Sequence, residues 1–429
     1  MPLGRSYLLS LYRCTMTPEQ MAEMLGVTMT DNRDATTWAL LDKSDPSRDK
    51  ATGAIIREGK PKGHLANVQT IFSTDPAWTT AFSRCELRRR VLWEGDVIRD
   101  EDEAEVSRLL ASSYGLHATT QIVSEAIRWA AIKSSTHPVR EWLAGLTWDG
   151  VPRLDRWLTT YCSAPDTELV RAMGRAWLIQ ACARAIEPGC KADAVLVLKG
   201  VQGCRKSTTC GVLGGAWFSD SEIDLASKDK YTQLEGVWVY ELSEMDAMRK
   251  ADARALKAFV SSQSDKYRPA YGRNTQEVPR STVFIGTTND DEFLVDPTGS
   301  RRYWVVEVAQ CFPEALEADR EQLWAEAAHY TRQGEHWHLP GDLDLERAQE
   351  AERYTPVDSW ENAIAEWVIG QDRFTLDDVW KRALSNDRSN AARHDDMRMA
   401  TILRRLGFTK KRGRAFNGSV DRAYIWSRA

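Results

Sequence analysis

The chain has 429 residues, of which 42% are hydrophobic and 28% charged, with a net charge of −5. That is enough apolar material for a soluble, globular protein of roughly two to four domains, and the overall charge gives no reason by itself to expect nucleic acid. No window approaches the apolar length of a membrane span, and MPLGRSYLLSLYRC is too short and too interrupted for a secretory leader, so a cytoplasmic location is expected. The eight cysteines form no CxxC pair and read as free, mostly buried thiols.

Residues 1–117 mix short apolar runs with turn-forming breakers and are taken as an N-terminal α+β region, with helical spacing setting in at Glu103. Residues 118–190 read as a helical lead-in. Spacing over 120–133 continues the helical pattern, and 140–158 places Asp149-Gly150 and Pro152 between two amphipathic helices. Val170, Met173, Trp177, Ala181 and Ala185 then recur at helical spacing up to Pro188-Gly189.

The period changes next. Residues 194–199 (AVLVLK), 237–242 (VWVYEL) and 282–286 (TVFIG) have the length and β-branched content of buried strands, separated by helical stretches. Such alternation predicts an α/β fold with a mainly parallel sheet over 191–310.

Directly after the first run stands GVQGCRKST, from Gly200 through Gln202, Gly203, Cys204, Arg205, Lys206 and Ser207 to Thr208. It fits the phosphate-loop pattern GxxxxGK[ST] with Arg205 in place of the last glycine. A strand, a glycine-containing loop and a helix start aim N–H groups at phosphate; Lys206 would reach the β- and γ-phosphates of ATP and Ser207 would hold Mg²⁺. Arg205 either points outward, adds a second cation, or weakens the site. The plain alternative is a strand-to-helix turn with an incidental Lys-Ser.

Glu241 and Glu244 follow at and beyond the end of the second run, where one carboxylate serves the Mg²⁺ shell and the other polarises water; solvent-exposed strand ends are the alternative. Asn289 ends the third run, suited to sensing a γ-phosphate or simply to making a turn. Arg301 and Arg302 follow a tight turn, as a pair offered across a subunit boundary or as a solvated surface pair.

With these stations in order, the chain resembles the virulence-associated protein E family, whose ATPase core is similar to the superfamily 3 helicases. The resemblance runs over about 65–308 and is carried by HPVREWLAGLTWDGVPRLDRWL, PGCKADAVLVLKGVQGCRKST, GGAWFSDSEIDLASKDKYTQLEGVWVYELSEMDA and KAFVSSQSDKYRPAYGR. It implies an AAA+-like core, a hexameric ring with ATP at subunit interfaces, and single-stranded DNA in the channel. By the same resemblance Lys206 and Ser207 match the Walker A, Glu241 the Walker B, Asn289 the sensor, and Arg301-Arg302 the arginine finger. Segment 257–273 matches a DNA-facing hairpin motif. Its Lys257, Lys266, Arg268 and Arg273, interleaved with Tyr267 and Tyr271, suit phosphate contact and base stacking, against the alternative of an ordinary charged surface.

A helical linker is expected over 311–354, where Glu335, His336 and His338 read as a surface loop and not as a metal site. Residues 355–429 carry helical stripes at Trp360, Ile364, Trp367 and Val368 and at Met399, Ile402, Leu403 and Leu406, a capping box at Thr375 to Asp378, and then a basic hairpin. From Arg398 onward nine Lys/Arg face one acid, a local charge of +8 on a body of about −13. Three helices and a basic hairpin predict a winged-helix-like domain in which Arg398, Arg404, Arg405, Lys410, Lys411, Arg412 and Arg414 contact duplex DNA; the alternative is a packing domain with a solvated face. The expected activity is an ATP-dependent helicase or translocase in phage or mobile-element replication. A non-hydrolysing, ATP-gated DNA-binding protein is the rival reading if Arg205 disables the loop.

Overall fold

In a computed structural model the described residues are 34–48, 50–52, 54–57, 59–243, 250–268, 275–294, 300–356, 358–385, 393–414 and 422–428. The chain divides into two units, one made of residues 1–245, 254–289 and 301–347 and the other of 246–253, 290–300 and 348–429.

After a short helix, Ala35–Leu40, and an antiparallel pair of strands, Ser47–Arg48 and Ile55–Arg57, the first unit has helix α1 (Leu65–Thr74), strands β1 (Phe82–Cys85), β2 (Arg90–Trp93) and β3 (Asp96–Val97), helices α2 (Asp100–Tyr114) and α3 (Thr120–Ile132), and strand β4 (Ser135–Thr136). The strands form one sheet in the order β3-β2-β1-β4. Four acidic residues fill the first turn of α2, where they complement the helix dipole. Phe72, Phe82, Trp93, Leu110 and Ile127 close a separate apolar core over this sheet.

Helices α4 (Pro138–Gly145) and α5 (Trp157–Cys162) follow, with residues 146–156 and the expected Asp-Gly turn between them. In the connection Val151 N–H donates to Asp149 Oδ1 at 2.9 Å and Gly150 takes a φ of 83°, which glycine adopts without steric cost. Helix α6 (Glu168–Ile186) starts at Thr167, whose hydroxyl caps the Val170 N–H at 3.2 Å. It is buried on nearly all sides because it lies against a sheet that is itself covered.

That sheet contains β5 (Val195–Lys199), β6 (Phe218–Ser219), β7 (Val239–Leu242), β10 (Val283–Thr288) and β11 (Tyr303–Glu307), in the order β11-β5-β10-β7-β6 and parallel throughout. Its three central strands are the three apolar runs of the sequence, buried on both faces as parallel strands are. Trp177 and Trp238 lock α6 to the sheet, donating to the Phe284 and Ala181 carbonyls at 2.9 Å each. Helix α7 (Lys206–Gly214) leaves β5, α8 (Lys250–Val260) precedes a hairpin of β8 (Ser264–Tyr267) and β9 (Gln276–Pro279), and α9 (Pro313–Arg332) packs on α6 and α7.

In the second unit α10 (Glu361–Trp367), the capped turn Leu376–Asp378 and the turn Val379–Ala383 that continues it, and α11 (Arg393–Arg405) surround a core of Phe374, Trp380, Leu403 and Trp426. The antiparallel sheet beside them has the order β12-β14-β13, from β12 (Arg373–Phe374), β13 (Phe408–Arg414) and β14 (Arg422–Arg428). Both halves of the Thr375 capping box form. The described cysteines are all free, and all but Cys190 are buried.

Candidate functional site

Strand β5 ends between β11 and β10, so the chain leaves the middle of the sheet for one side and returns late to the other. Such a switch point opens a crevice at the carboxyl ends of the strands, where α/β folds bind ligands. The loop 200–205 occupies it. A Cβ on Gly200 would overlap the Val308 carbonyl oxygen, so the first glycine is required by close backbone approach.

The motif's departure has a definite geometry. Arg205 has φ 69° and ψ 30°, the left-handed conformation that a glycine would supply, and Gly203 has φ 83°. The loop keeps its course, and the arginine side chain is directed to Glu314 on α9, with which it forms a two-pronged ion pair. That contact raises the guanidinium pKa and lowers the Glu314 carboxyl. Of the alternatives left by the sequence, the structure has the outward one.

Lys206 opens α7 and is buried, and its ammonium donates to the Gly200 and Val201 carbonyls at 2.7 and 3.0 Å and to Asn289 Oδ1 at 2.8 Å. Lysine and asparagine, 83 positions apart, thus meet at the mouth of the loop. The amides of the first turn of α7 have no carbonyl one turn earlier to bond, and they face the same side as the positive helix end.

Ser207 Oγ donates to Glu241 Oε1 at 2.6 Å, and Thr287 Oγ1 donates to the same oxygen at 2.6 Å. Glu241 is 1% exposed, and its Oε2 has no hydrogen-bond partner among the described residues. A buried carboxylate oxygen without a partner is costly unless a ligand completes it. Thr287 and Glu314 escape a motif reading, since one is an inward hydroxyl in an apolar strand and the other lies 109 residues from the arginine it meets. Glu244 lies outside the described residues.

Arg301 and Arg302 precede β11, at the end of the sheet opposite the loop. Both approach Asp193, at 3.5 and 3.4 Å, and Arg302 Nε donates to Ser261 Oγ at 2.6 Å. The register runs from Tyr303 beside Val195 to Glu307 beside Lys199, so about five residues of strand, roughly 17 Å, separate the pair from its own loop. Arg301 stays largely exposed.

The hairpin β8–β9 presents Lys266 to solvent, paired with Glu277 at 3.1 Å. Lys257 and Arg268 flank it, half-buried and exposed; Arg273 and Tyr271 lie outside the described residues. Tyr267 does not fit the stacking role expected from the sequence. It points inward, 5% exposed, with its hydroxyl donating to Glu235 at 3.0 Å and Arg89 over its ring, because alternation along β8 puts Asp265 and Tyr267 on the buried face.

In the second unit Arg398 is committed to Asp358 through two hydrogen bonds of 2.6 Å, and Arg405 pairs with Glu361 at 3.1 Å. Both serve packing among the helices. Arg404 lies 5.9 Å over Trp426, Lys410 lies 3.9 Å over Tyr424, and Lys411 is exposed on β13. The side chains of Arg412 and Arg414 lie outside the described ones. No group of His, Cys, Asp and Glu suited to a metal occurs among the described residues, and Glu335 instead holds Arg175.

The family model described as a virulence-associated protein E-like domain matches residues 143–356. Among solved structures, the apo C-terminal region of NrS-1 is similar at 9% identity and a TM-score of 0.41, covering 81% of this chain and 96% of that one. An A-form apo structure of the same region has 11% identity and a TM-score of 0.37, covering 67% and 78%. No curated protein matches the sequence.

Proposed function

We propose, from the match of residues 143–356 to the virulence-associated protein E-like domain, that this chain is an ATP-dependent DNA helicase or translocase acting in the replication of a phage or integrated mobile element. The supporting observation is the buried Glu241, one oxygen held by Ser207 and Thr287 and the other without a hydrogen-bond partner, with Ser207 following directly on the Lys206 whose ammonium meets Asn289.

In this reading the ATP phosphates lie against the loop amides of 200–208, and Lys206 leaves its carbonyl partners to donate to the β- and γ-oxygens. The oxygen donors Ser207 and Glu241 suit Mg²⁺, and the open Oε2 is the atom that would complete its shell. When bound, the ion would neutralise charge on the phosphates. Asn289, already joined to Lys206, orients water or senses the γ-phosphate, and Glu244 polarises that water. Arg301 and Arg302 act on a neighbouring copy in a ring, most simply a hexamer. Lys257, Lys266, Arg268 and Arg273 meet single-stranded DNA in its channel, while Arg404, Lys410, Lys411, Arg412 and Arg414, with a lesser share for the paired Arg405, meet duplex DNA.

The test is ATP turnover with and without DNA. Glu241→Gln keeps the side-chain volume and removes the charge, so DNA-stimulated turnover is expected to fall at least ~10²-fold while ATP binding survives. Undiminished turnover by the variant would sink the proposal. A wild-type chain that binds ATP and DNA without turnover would establish the non-hydrolysing alternative.

A further inference from the structure

A cleft of about 420 Å³ lies at the foot of the parallel sheet, between the N-terminal sheet and the base of the β8–β9 hairpin. Ser281, which lines it, stands two residues before β10, whereas the Gly200 N–H of the phosphate loop donates to the Thr288 carbonyl at the other end of that strand. Six residues of strand, about 20 Å, therefore separate the cleft from the loop.

Register builds one wall. In the parallel pairing of β1 with β4, Arg84 stands beside Ser135, so both side chains project from the same face of the sheet. Arg84 is half-buried, and its guanidinium has no hydrogen bond or ion pair among the described residues. On the opposite side Glu86 accepts from Nη2 of Arg140 at 2.8 Å, and the Ala185 carbonyl accepts from its Nε at 3.2 Å, which leaves Nη1 without a partner among the described residues. Ser281 is 8% exposed and 3.1 Å from His137 Nε2. Because Nδ1 of that ring accepts the Arg140 N–H, Nε2 carries the proton and Ser281 Oγ accepts it. The hydroxyl hydrogen of Ser281 then has no acceptor among the described residues.

We propose that this cleft binds an organic phosphate, with the phosphoryl group on Arg84, Arg140 and the hydroxyls of Ser135 and Ser281. Two guanidiniums against one carboxylate leave the lining with a net charge of +1, and a buried hydroxyl that lacks an acceptor is costly unless a ligand supplies one. A guanidinium grips phosphate oxygens in pairs, which suits the unmatched Arg84. The volume exceeds what a bare phosphate fills and lies in the range of small-molecule sites, about 300–1,000 Å³, so the ligand carries a sugar-sized substituent. Pro188, Val278 and Pro279 offer that substituent an apolar wall, and the second oxygen of Glu86 accepts from its hydroxyl while repelling the phosphate toward Arg84. A free nucleoside monophosphate and one nucleotide of a nucleic-acid strand both have this chemistry.

The full chain is titrated without Mg²⁺, so that the loop contributes least, with dTMP by calorimetry and with fluorescent oligo(dT) by anisotropy at several salt concentrations. Arg84→Gln removes the unmatched charge, and Ser135→Glu sets a carboxylate beside Arg84 from an exposed position. Neither breaks a side-chain contact among the described residues, so both unfolding temperatures should stay within about 2 °C of wild type. Each variant should weaken the occupant at least about tenfold. A fall in dTMP affinity identifies a free monophosphate; a fall in oligo(dT) affinity, with the slope of log affinity against log salt reduced by about 0.7, identifies a strand phosphate. Variants that leave both ligands at wild-type affinity, or a wild type that binds neither, would overturn the cleft. Oligo(dT) binding that the variants do not change, without dTMP binding, retains the DNA reading and removes the cleft. Conversely, dTMP binding lost in the variants, without oligo(dT) binding, retains the cleft and removes the DNA reading.

Discussion

His137 ties the start of α4 to pH. Its Nδ1 accepts the Arg140 N–H at 3.2 Å, so the neutral ring carries its proton on Nε2, 3.1 Å from Ser281 Oγ. Burial, aided by the Arg140 charge and opposed by Glu86, lowers the ring's pKa from 6.5 to about 4. Between those values the unfolded chain binds the proton and the folded chain does not, so stability is full above pH 6.5 and falls as the pH drops toward 4, by roughly 3 kcal/mol in all. Denaturant unfolding at pH 7.5 and pH 4.5 should show most of this loss in the wild type, and His137→Asn, which retains a capping acceptor, should remove it. An unchanged pH dependence in the variant would assign the loss to other groups. Arg205 makes a related point at the same scale. Its residue type left open an outward side chain, a second cation or a weakened site; the backbone takes the glycine-like conformation and the charge goes to Glu314, neither of which a one-letter code displays.

At the scale of elements, the β8–β9 hairpin is held at its base by charge. Asp265 is fully buried and accepts from Arg280 at 2.9 and 2.6 Å and from Arg89 in the β1–β2 turn. Arg89 and Arg280 are themselves buried. Replacing both partners of such a pair with apolar groups can be nearly neutral, but removing one leaves uncompensated buried charge. Asp265→Ala is therefore expected to destabilise the first unit by about 3–5 kcal/mol, measured by denaturant unfolding. A loss under about 1 kcal/mol would mean that water or rearrangement already compensates the arginines. The sequence marked the hairpin by its charges and tyrosines but gave no sign of this anchor, since Arg89, Asp265 and Arg280 belong to one site only after the N-terminal sheet docks.

For the whole molecule, the decisive geometry is the separation of Arg301 and Arg302 from their own loop by the length of the parallel sheet. If the pair acts on a neighbouring copy, each site is built from two chains. Mixing the double variant Arg301→Ala/Arg302→Ala with Lys206→Ala should restore ATP turnover above that of either alone, because some hybrid interfaces pair an intact loop with intact arginines. No recovery in oligomers verified as mixed would mean that the pair does not act across a boundary, and its contacts with Asp193 and Ser261 would stand as packing at the foot of the sheet.

The sequence by itself determined the parallel α/β layer and the long helix that packs on it, because both depend on local apolar period and residue spacing. It also located the loop between the first of these strands and the helix opened by Lys206, and the strands that carry Glu241 and lead to Asn289. It did not determine the four-stranded N-terminal sheet, whose strands are two to four residues long and acquire their form from pairing and not from periodicity. Nor did it determine which side of β8 faces the core, so Tyr267 read as an exposed ring until the register buried it. Only tertiary structure brought Lys206 to Asn289, set Thr287 and Ser207 on one oxygen of Glu241, and turned Arg205 toward Glu314, since each of these contacts joins residues 34 to 109 positions apart.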